Sequence, residues 1–220
     1  NLQVFDRLPR PKRLTHIANG MPRAMDAPAP DRAALGLRPE ALILGLATRA
    51  IDSKGWHQAV RLTQKLNMAG YTADLLLIGE GPAADSIRKE APPHVFQLGQ
   101  VNNLQAYLGL LDIGLLPSYF RGESLPLVLI DMMAQGVPII ASEIGEIPWM
   151  LTGGENPAGL LVPLTDDGID EHMLLSHAIA LTDPGLRSKL RQGAISRFNS
   201  EFEIGLMLSR YMRLYGGATL

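Results

Sequence analysis

The sequence predicts an α/β protein built on a doubly wound parallel sheet of about six strands, with helices on both faces. Three observations predict this fold: apolar runs of strand length recur along the chain, segments with helical spacing separate them, and the links are short. An uninterrupted apolar run is typical of a parallel strand that is buried on both faces. Strands that alternate with helices indicate βαβ units, so the sheet is expected to be parallel.

The predicted elements follow one another in a regular order from residue 41. The six predicted strands are residues 41–48, 73–79, 94–99, 112–118, 137–142 and 158–164. Six of the predicted helices are residues 54–69, 82–90, 104–110, 170–181, 184–198 and 202–215. Residues 31–37 are predicted to form a further short helix, and the proline-rich stretch before them is predicted to be irregular.

The composition indicates a globular protein and excludes several classes of function. The chain has 220 residues, of which 46% are hydrophobic and 19% are charged, and it is long enough to bury a substantial core. Its formal net charge of −2 gives no argument for nucleic acid as a partner. The absence of cysteine excludes disulfides and thiolate metal sites and is compatible with a cytoplasmic protein. The chain begins with Asn1 in what reads as a mid-protein segment, so we expect a fragment.

One stretch, residues 119–148, combines two carboxylates with an apolar helix and organises the predicted site. Its apolar side chains recur at steps of three and four residues, which predicts one buried helix face. Ser124 is predicted to cap this helix, and Gly136 to end it in a left-handed conformation. Glu123 is then expected just before the helix N-terminus, and Asp131 about two turns further on. Two acceptor carboxylates held in this way suit a ligand with many hydroxyl groups.

Two cations follow the first predicted strand. Arg49 and Lys54 lie in the link between that strand and the next helix, and Gly55 begins the helix. Because ligands of doubly wound sheets bind beyond the carboxyl ends of the strands, both side chains are expected at the binding edge. Two cations beside a helix N-terminus can neutralise a diphosphate. The alternative interpretation is a pair of solvated surface cations.

These motifs, taken in order, resemble the C-terminal, nucleotide-sugar-binding domain of retaining glycosyltransferases with the GT-B architecture, the glycosyl transferases group 1 or family 4. The family signature is a Glu, seven intervening residues and a second Glu, and the sequence here reads PSYFRGESLPLVLIDMMAQGVPII. Asp131 stands where the family has its second Glu. The segment TRAIDSKGW similarly resembles the family's Arg and Lys-Gly pair, with Thr48 in place of a usual Gly. The resemblance implies the C-terminal half of a GT-B fold, whose other half is missing from this sequence.

The resemblance also implies a role for each candidate site residue. Glu123 would accept hydrogen bonds from the donor sugar near the anomeric centre, while Arg49 and Lys54 would hold the diphosphate and stabilise the leaving group. Asp131 would contact the ribose. The remaining donor-binding candidates are Ser124 and Leu125 through their backbone amides, Gly81 in the turn after the second strand, and Gln100 and Val101 beside the nucleotide base.

Several residues also have a purely structural interpretation. Glu123 could simply interact with a helix dipole, Asp131 could be a partly buried carboxylate with a local partner, and Gly81 could serve only the turn. The five histidines are scattered and no metal-binding motif accompanies them, so neither a protein metal site nor another cofactor is expected.

The resemblance implies an enzyme that transfers a hexosyl-type sugar, with retention, from a nucleotide diphosphate sugar to a polysaccharide, lipopolysaccharide or glycolipid acceptor. Only the full-length enzyme would be active. The implied partners are the donor and the missing N-terminal domain, and residues 201–220 are expected to pack toward that domain, with residues 1–30 as the linker and 31–200 as the donor-binding domain. The protein would be cytoplasmic or peripheral at the inner face of a membrane, bound there only through the missing half.

Two other function classes remain open at this point: a dehydrogenase or epimerase, and a non-enzymatic interaction module. A Rossmann dehydrogenase is disfavoured because the first strand is not followed by a G-x-G-x-x-G loop. A GT-B-like nucleotide-sugar epimerase would need catalytic acids that the sequence does not reveal. A non-enzymatic interaction module would be a degenerate transferase domain in which Asp131 marks lost ligand binding.

Overall fold

The central sheet has six parallel strands in the order β3-β2-β1-β4-β5-β6, and the computed structural model describes residues 15–23 and 29–216. The strands are β1 (Leu42–Ala47), β2 (Ala73–Ile78), β3 (Val95–Gly99), β4 (Ile113–Leu116), β5 (Ile139–Ser142) and β6 (Gly159–Val162). All six predicted strands are confirmed, and the observed ends of each strand lie within a few residues of the predicted ends. The strand order reverses between β1 and β4, and this switch point is where doubly wound sheets bind ligands.

Helices cover both faces of the sheet, as the alternation of elements predicts. They are α1 (Trp56–Met68), α2 (Pro82–Glu90), α3 (Leu104–Leu108), α4 (Leu127–Ala134), α5 (Ile147–Thr152), α6 (Glu171–Ala180), α7 (Pro184–Arg197) and α8 (Ile204–Gly216). A short 3-10 turn, Asp52–Lys54, precedes α1. The strands β2, β4 and β5 are buried along their whole length, which explains their uninterrupted apolar sequences.

The helix that carries Asp131 begins later than the sequence predicts. Its N-cap is Pro126 and no side chain caps it, so the prediction that Ser124 is the cap is wrong. Instead, the backbone of Ser124 is held by a neighbouring loop, because its carbonyl oxygen accepts a hydrogen bond of 2.9 Å from the amide of Glu146. The predicted end is confirmed: Gly136 has a φ of 66° just beyond the last turn of α4.

Other predictions of local structure differ from the observed elements. Residues 31–37 form hydrogen-bonded turns rather than a helix. Two features were not predicted: a small antiparallel hairpin, β7 (Leu164–Thr165) with β8 (Gly168–Ile169), and a π-helical turn, Phe198–Phe202. The hairpin consists of strands of two residues each, and the π turn depends on how α7 meets α8, so neither has a strong periodic signal in the sequence.

The segment 15–23 packs against the end of the chain. The amide of Met21 donates a 2.8 Å hydrogen bond to the carbonyl oxygen of Phe202, and Gly20 packs against Ile204 at the start of α8. Residues 15–23 are irregular apart from this contact, while residues 1–14 and 24–28 of the predicted linker, and 217–220 of the predicted terminal segment, lie outside the described residues. The proposed domain boundaries therefore stay a prediction.

The last helix, α8, has no buried residue. Its exposed apolar side chains are Leu208, Tyr211, Met212, Leu214 and Tyr215. The rings of Tyr211 and Tyr215 stack with their centroids 6.1 Å apart. Within residues 15–23 and 29–216, no helix has the length and apolar character needed to cross a membrane.

Candidate functional site

A cavity of about 400 Å³ opens at the carboxyl ends of β1 and β2. Its lining residues are Ala47, Thr48, Arg49, Ile78, Gly79, Glu80, Gln100, Val101 and Leu104. It therefore brings together three of the predicted site residues, Arg49, Gln100 and Val101. Most of its wall is apolar, and Arg49 is the exposed cation among its lining residues. A concave apolar wall with a few polar groups is typical of small-molecule sites, which span roughly 300–1,000 Å³.

The cavity depends on close approach between the loops that follow β1 and β2. Gly79 has a φ of 133°, and a Cβ there would lie 2.0 Å from the carbonyl oxygen of Thr48. Gly81 has a φ of 139°, and its Cβ would lie 2.6 Å from the carbonyl oxygen of Ala50. Gly81 does not line this cavity but a neighbouring recess, together with Glu80 and Arg88. The close approach to Ala50 therefore explains why position 81 is a glycine. Its contact with a ligand stays a prediction.

A nearly buried ion pair lies in the loops after β1 and β4. The Nζ atom of Lys54 is 2.6 Å from Oε2 of Glu123, and only 12% and 7% of the two side chains are exposed. The Lys54 ammonium also lies 4.8 Å from the centroid of the Phe120 ring. Lys54 and Glu123 are 69 positions apart in the sequence, and the fold brings these two predicted catalytic residues into direct contact.

Backbone hydrogen bonds hold the two loops of this ion pair together. The amide of Tyr119 donates a 2.8 Å hydrogen bond to the carbonyl oxygen of Ser53, next to Lys54. The buried hydroxyl of Ser118 donates to the same carbonyl oxygen. The amide of Glu123 donates to the carbonyl oxygen of Phe120 at 2.9 Å, which closes a tight turn. The carboxylate of Glu123 and the ring of Phe120 thus reach Lys54 from one hydrogen-bonded turn.

The loop after β5 supports Glu123 from the other side. Gly145 has a φ of 59°, and a Cβ at this position would lie 2.4 Å from the carbonyl oxygen of Glu123. Only glycine allows this approach without strain. Among the described residues, the backbone amides of Ser124 and Leu125 have no hydrogen-bond acceptor. Ser124 is exposed and Leu125 half-buried, so both amides stay candidates for donor contacts.

Asp131 is held on the second turn of α4, close to the sheet. A Cβ at Gly114 of β4 would lie 2.5 Å from the sulfur of Met132, so the glycine lets α4 pack tightly on the sheet. The carboxylate of Asp131 is 7% exposed and accepts a 2.8 Å hydrogen bond from Nε2 of Gln105 on α3. Burial raises the pKa of Asp131 above its usual value, and the hydrogen bond from Gln105 only partly opposes this shift. Its ribose contact stays a prediction.

Sequence reasoning missed two residues that touch the predicted site. Phe120 contacts the Lys54 ammonium, and Gln105 is the hydrogen-bond partner of Asp131. The one signal in the sequence that could have indicated Phe120 is its position three residues before Glu123. No local pattern connects Gln105 with Asp131. Within residues 15–23 and 29–216, no group of three His, Asp or Glu side chains could hold a metal ion.

The family is decided by a match to a family sequence model. Residues 39–175, more than half of the chain, match the model described as glycosyl transferases group 1. The chain belongs to the glycosyl transferases group 1 family. The matched range contains all nine predicted site residues, from Arg49 to Asp131.

A curated relative in this family is the GDP-mannose-dependent alpha-(1-6)-phosphatidylinositol monomannoside mannosyltransferase of Mycobacterium tuberculosis. It is 32% identical over 140 residues, which cover 58% of this chain and 35% of the relative. The chain spans 30% of the length of the putative glycosyltransferase EpsF from Bacillus subtilis and 53% of the lipopolysaccharide core biosynthesis glycosyltransferase LpsE from Rhizobium meliloti, about a third to a half of such relatives.

Solved structures of related proteins show the same fold. Sucrose-phosphate synthase from Thermosynechococcus elongatus superposes with a TM-score of 0.73 at 25% identity, over 92% of this chain and 53% of that chain. The C-terminal domain of a glycosyl transferase group 1 family protein (LpcC) from Francisella tularensis superposes with a TM-score of 0.66 at 18% identity. That match covers 84% of this chain and 100% of the solved domain. The GT-B Rossmann-like fold predicted from the sequence is confirmed.

Proposed function

We propose that this chain is the donor-binding, C-terminal half of a retaining glycosyltransferase that uses a nucleotide diphosphate sugar. The observation that carries the proposal is the contact between Lys54 and Glu123. A cation for the diphosphate and a carboxylate for the sugar lie side by side at the strand-end edge. Arg49, in the same link after β1 as Lys54, lines a cavity of a size that suits a small ligand. Family membership supports the reaction class.

The diphosphate would lie between Arg49 and Lys54. Charge builds up on the leaving nucleoside diphosphate as the glycosidic bond breaks, and cations placed beside it offset that charge. Lys54 is mostly buried, so its interaction with that charge is screened less than at an exposed site. Arg49 is exposed and can adjust to the phosphate positions. No metal or other cofactor is required in this proposal, because the two side chains carry the positive charge.

The sugar would lie against Glu123 and the turn that follows it. The carboxylate accepts hydrogen bonds from sugar hydroxyls, and the backbone amides of Ser124 and Leu125 can donate to sugar oxygens. The nucleoside would extend into the cavity, where Val101 and Leu104 offer apolar contact to the base and Gln100 offers hydrogen bonds. The Asp131 carboxylate would accept hydrogen bonds from the ribose. The GDP-mannose dependence named for the mycobacterial relative supports a donor of this class.

The acceptor side of the reaction would belong to an N-terminal domain outside this sequence. The chain covers the whole of the solved C-terminal domain from Francisella tularensis and only part of its curated relatives, which supports this division. We propose that the exposed apolar face of α8 packs toward that domain, and that the present chain binds donor but transfers nothing alone. A polysaccharide, lipopolysaccharide or glycolipid acceptor, and a cytoplasmic or membrane-peripheral location, complete the proposal.

The test is donor binding by wild-type chain and by a Glu123→Ala variant, with isothermal titration calorimetry on UDP-, GDP- and ADP-sugars. A buried carboxylate that binds the sugar contributes about 1.4 kcal/mol or more, so we expect at least a roughly tenfold weaker binding of the sugar nucleotide. The matched control is Glu143→Ala, which removes an exposed carboxylate after β5. Unchanged binding by Glu123→Ala would overturn its assignment to the sugar site.

A further inference from the structure

We infer that the ion pair between Lys54 and Glu123 makes this site discriminate between an intact sugar nucleotide and the free nucleoside diphosphate. This inference rests on the function proposed above. It concerns the turn 120–123, in which Phe120 and Glu123 contact the Lys54 ammonium from two sides, and this pair of contacts is called the Lys54 clamp.

The Lys54 clamp is a nearly buried, hydrogen-bonded part of the fold rather than an incidental surface contact. The Lys54 and Glu123 side chains are 12% and 7% exposed, and their charged atoms are 2.6 Å apart. The turn is closed by the hydrogen bond from the Glu123 amide to the Phe120 carbonyl oxygen. Its glycine, Gly122, faces Phe120 so closely that a Cβ would lie 2.6 Å from the ring. The geometry therefore fixes both contacts to Lys54 at once.

A diphosphate that recruits Lys54 must draw the ammonium away from this clamp or share it. Either change weakens the contact with Glu123, whose carboxylate is nearly buried and then lacks its cation. A buried charge without a partner is strongly unfavourable. Free nucleoside diphosphate brings no group that can replace the lost partner, and its own charge adds repulsion, so the contact between Lys54 and Glu123 disfavours its binding.

An intact sugar nucleotide removes this penalty. The hydroxyl groups of the sugar donate hydrogen bonds to Glu123 when the diphosphate engages Lys54, so the carboxylate keeps hydrogen-bond partners. The same residue thus favours the substrate and disfavours one product. The consequence is a site that releases the nucleoside diphosphate after transfer, when the sugar hydroxyls have left with the acceptor.

The experiment measures dissociation constants of the 220-residue chain by calorimetry for UDP, GDP and ADP and for UDP-glucose, GDP-mannose and ADP-glucose. For the nucleotide that binds, we expect Glu123→Gln to bind the free diphosphate at least about threefold more tightly and the sugar conjugate more weakly. The ratio of the two constants then falls. If Glu123→Gln binds the free diphosphate no more tightly than wild type, Lys54 serves both groups without conflict and the inference is overturned.

Two further variants separate the clamp from simple charge repulsion. Phe120→Leu keeps Glu123 and removes the contact between the ring and the ammonium, so we expect the free diphosphate to bind about two- to fivefold more tightly. A purely packing role for Phe120 would leave binding unchanged or weaker, which counts against the inference. In a Lys54→Ala background the effect of Glu123→Gln should vanish, because the clamp no longer exists. If Glu123→Gln keeps its full effect on diphosphate binding in the Lys54→Ala background, the effect comes from direct repulsion by Glu123, and the inference is overturned.

The same titrations distinguish a failure of the proposed function from a failure of the inference about Lys54 and Glu123. If wild-type chain binds none of the six ligands, the proposed function fails and the inference fails with it. If wild type binds one sugar conjugate and Glu123→Gln shows no gain for its free diphosphate, only the inference fails. Urea unfolding of each variant shows that the compared proteins are folded.

Discussion

The backbone of Gly145 lies so close to Glu123 that a Cβ at the glycine would be 2.4 Å from the Glu123 carbonyl oxygen. This contact links the loop after β5 to the loop after β4. It fixes the backbone of the residue that carries the proposed sugar-binding carboxylate. The position of Glu123 therefore depends on three loops, those after β1, β4 and β5, which the parallel sheet brings to the same edge.

Replacement of Gly145 by Ala tests this dependence. The positive φ of 59° alone costs alanine roughly 1–2 kcal/mol, and the collision with the Glu123 carbonyl oxygen adds to that cost. We expect Gly145→Ala to lower the free energy of unfolding, measured with urea, and to weaken sugar-nucleotide binding. Gly70→Ala is the matched control, because Gly70 has a φ of 90° but nothing within 4 Å of a Cβ. An equal loss in both variants would mean that the contact with Glu123 adds nothing.

The raised pKa of Asp131 predicts a pH dependence of stability. The folded state binds the proton of this carboxyl at a higher pH than the unfolded chain, whose pKa is near 3.8. In the window from that value up to the raised folded pKa, the Asp131 contribution to stability falls as pH rises. Asp131→Asn keeps an acceptor for Gln105 and removes the buried charge. We expect it to be more stable than wild type at pH 7, by urea unfolding, with a smaller gain near pH 3.5.

The lowered pKa of Glu171 predicts that stability depends on pH with a sign opposite to that of the Asp131 contribution. Its hydrogen bond from Arg61, with a second from Lys65, holds the pKa of the Glu171 carboxyl below its usual value of 4.5. The contribution is present above pH 4.5 and is lost as pH falls through the lowered folded pKa. The side chains are partly exposed, so we expect Glu171→Gln to cost less than about 1 kcal/mol at pH 7. A loss that persists unchanged below the folded pKa would contradict the assignment.

Arg197 predicts a specific defect for a conservative substitution. Its guanidinium donates to the carbonyl oxygens of Met150 and Trp149 at the end of α5 and lies 4.6 Å from the centroid of the Trp149 ring. Lysine cannot reproduce this planar set of donors. We expect Arg197→Lys to lower the free energy of unfolding by about 2 kcal/mol, because buried carbonyl groups lose partners. Arg191→Lys, at an exposed position on the same helix, is the control and should cost little.

The exposed face of α8 predicts self-association of the isolated chain. Leu208 is 52% exposed and Met212 is 71% exposed, one turn apart on the same helix. Apolar side chains grouped in this way favour contact with another surface. We expect Leu208→Ser with Met212→Ser to lower the apparent mass in light scattering at high protein concentration. Met68→Ser removes a methionine that is 87% exposed on α1, and it should leave the mass unchanged.

The sheet was predictable because its strands carry their own signal. The strands β2, β4 and β5 are buried throughout, so each reads as a continuous apolar run with turn residues beside it. The hairpin at 164–169 has strands of only two residues, and its loop is Asp166-Asp167 rather than one of the Asn-Gly or Asp-Gly pairs that signal such turns. The start of α4 was misplaced because the loop after β5, rather than a cap, holds Ser124.

The site was predictable in its residue types but not in its contacts. Glu123, Lys54 and Arg49 could be selected because carboxylates and cations after strands point to one edge of the sheet. The ion pair between Lys54 and Glu123 spans 69 positions, and only the fold reveals it. The same holds for Gln105 and Asp131, which are 26 positions apart. A sequence pattern places such residues near one another, while their pairing depends on the packing of the loops.

The measurement that tests the central claim most directly is a thermal-shift panel of UDP, GDP, ADP and CMP with their common sugar conjugates. A ligand that binds only the folded protein stabilises it by about 2.7 kcal/mol at a hundredfold excess over its dissociation constant. We predict a clear rise in Tm for one nucleotide family, larger for the sugar conjugate than for the free nucleotide, and reduced by Glu123→Ala. A panel without any shift for the wild-type chain would contradict a donor site at Arg49, Lys54 and Glu123.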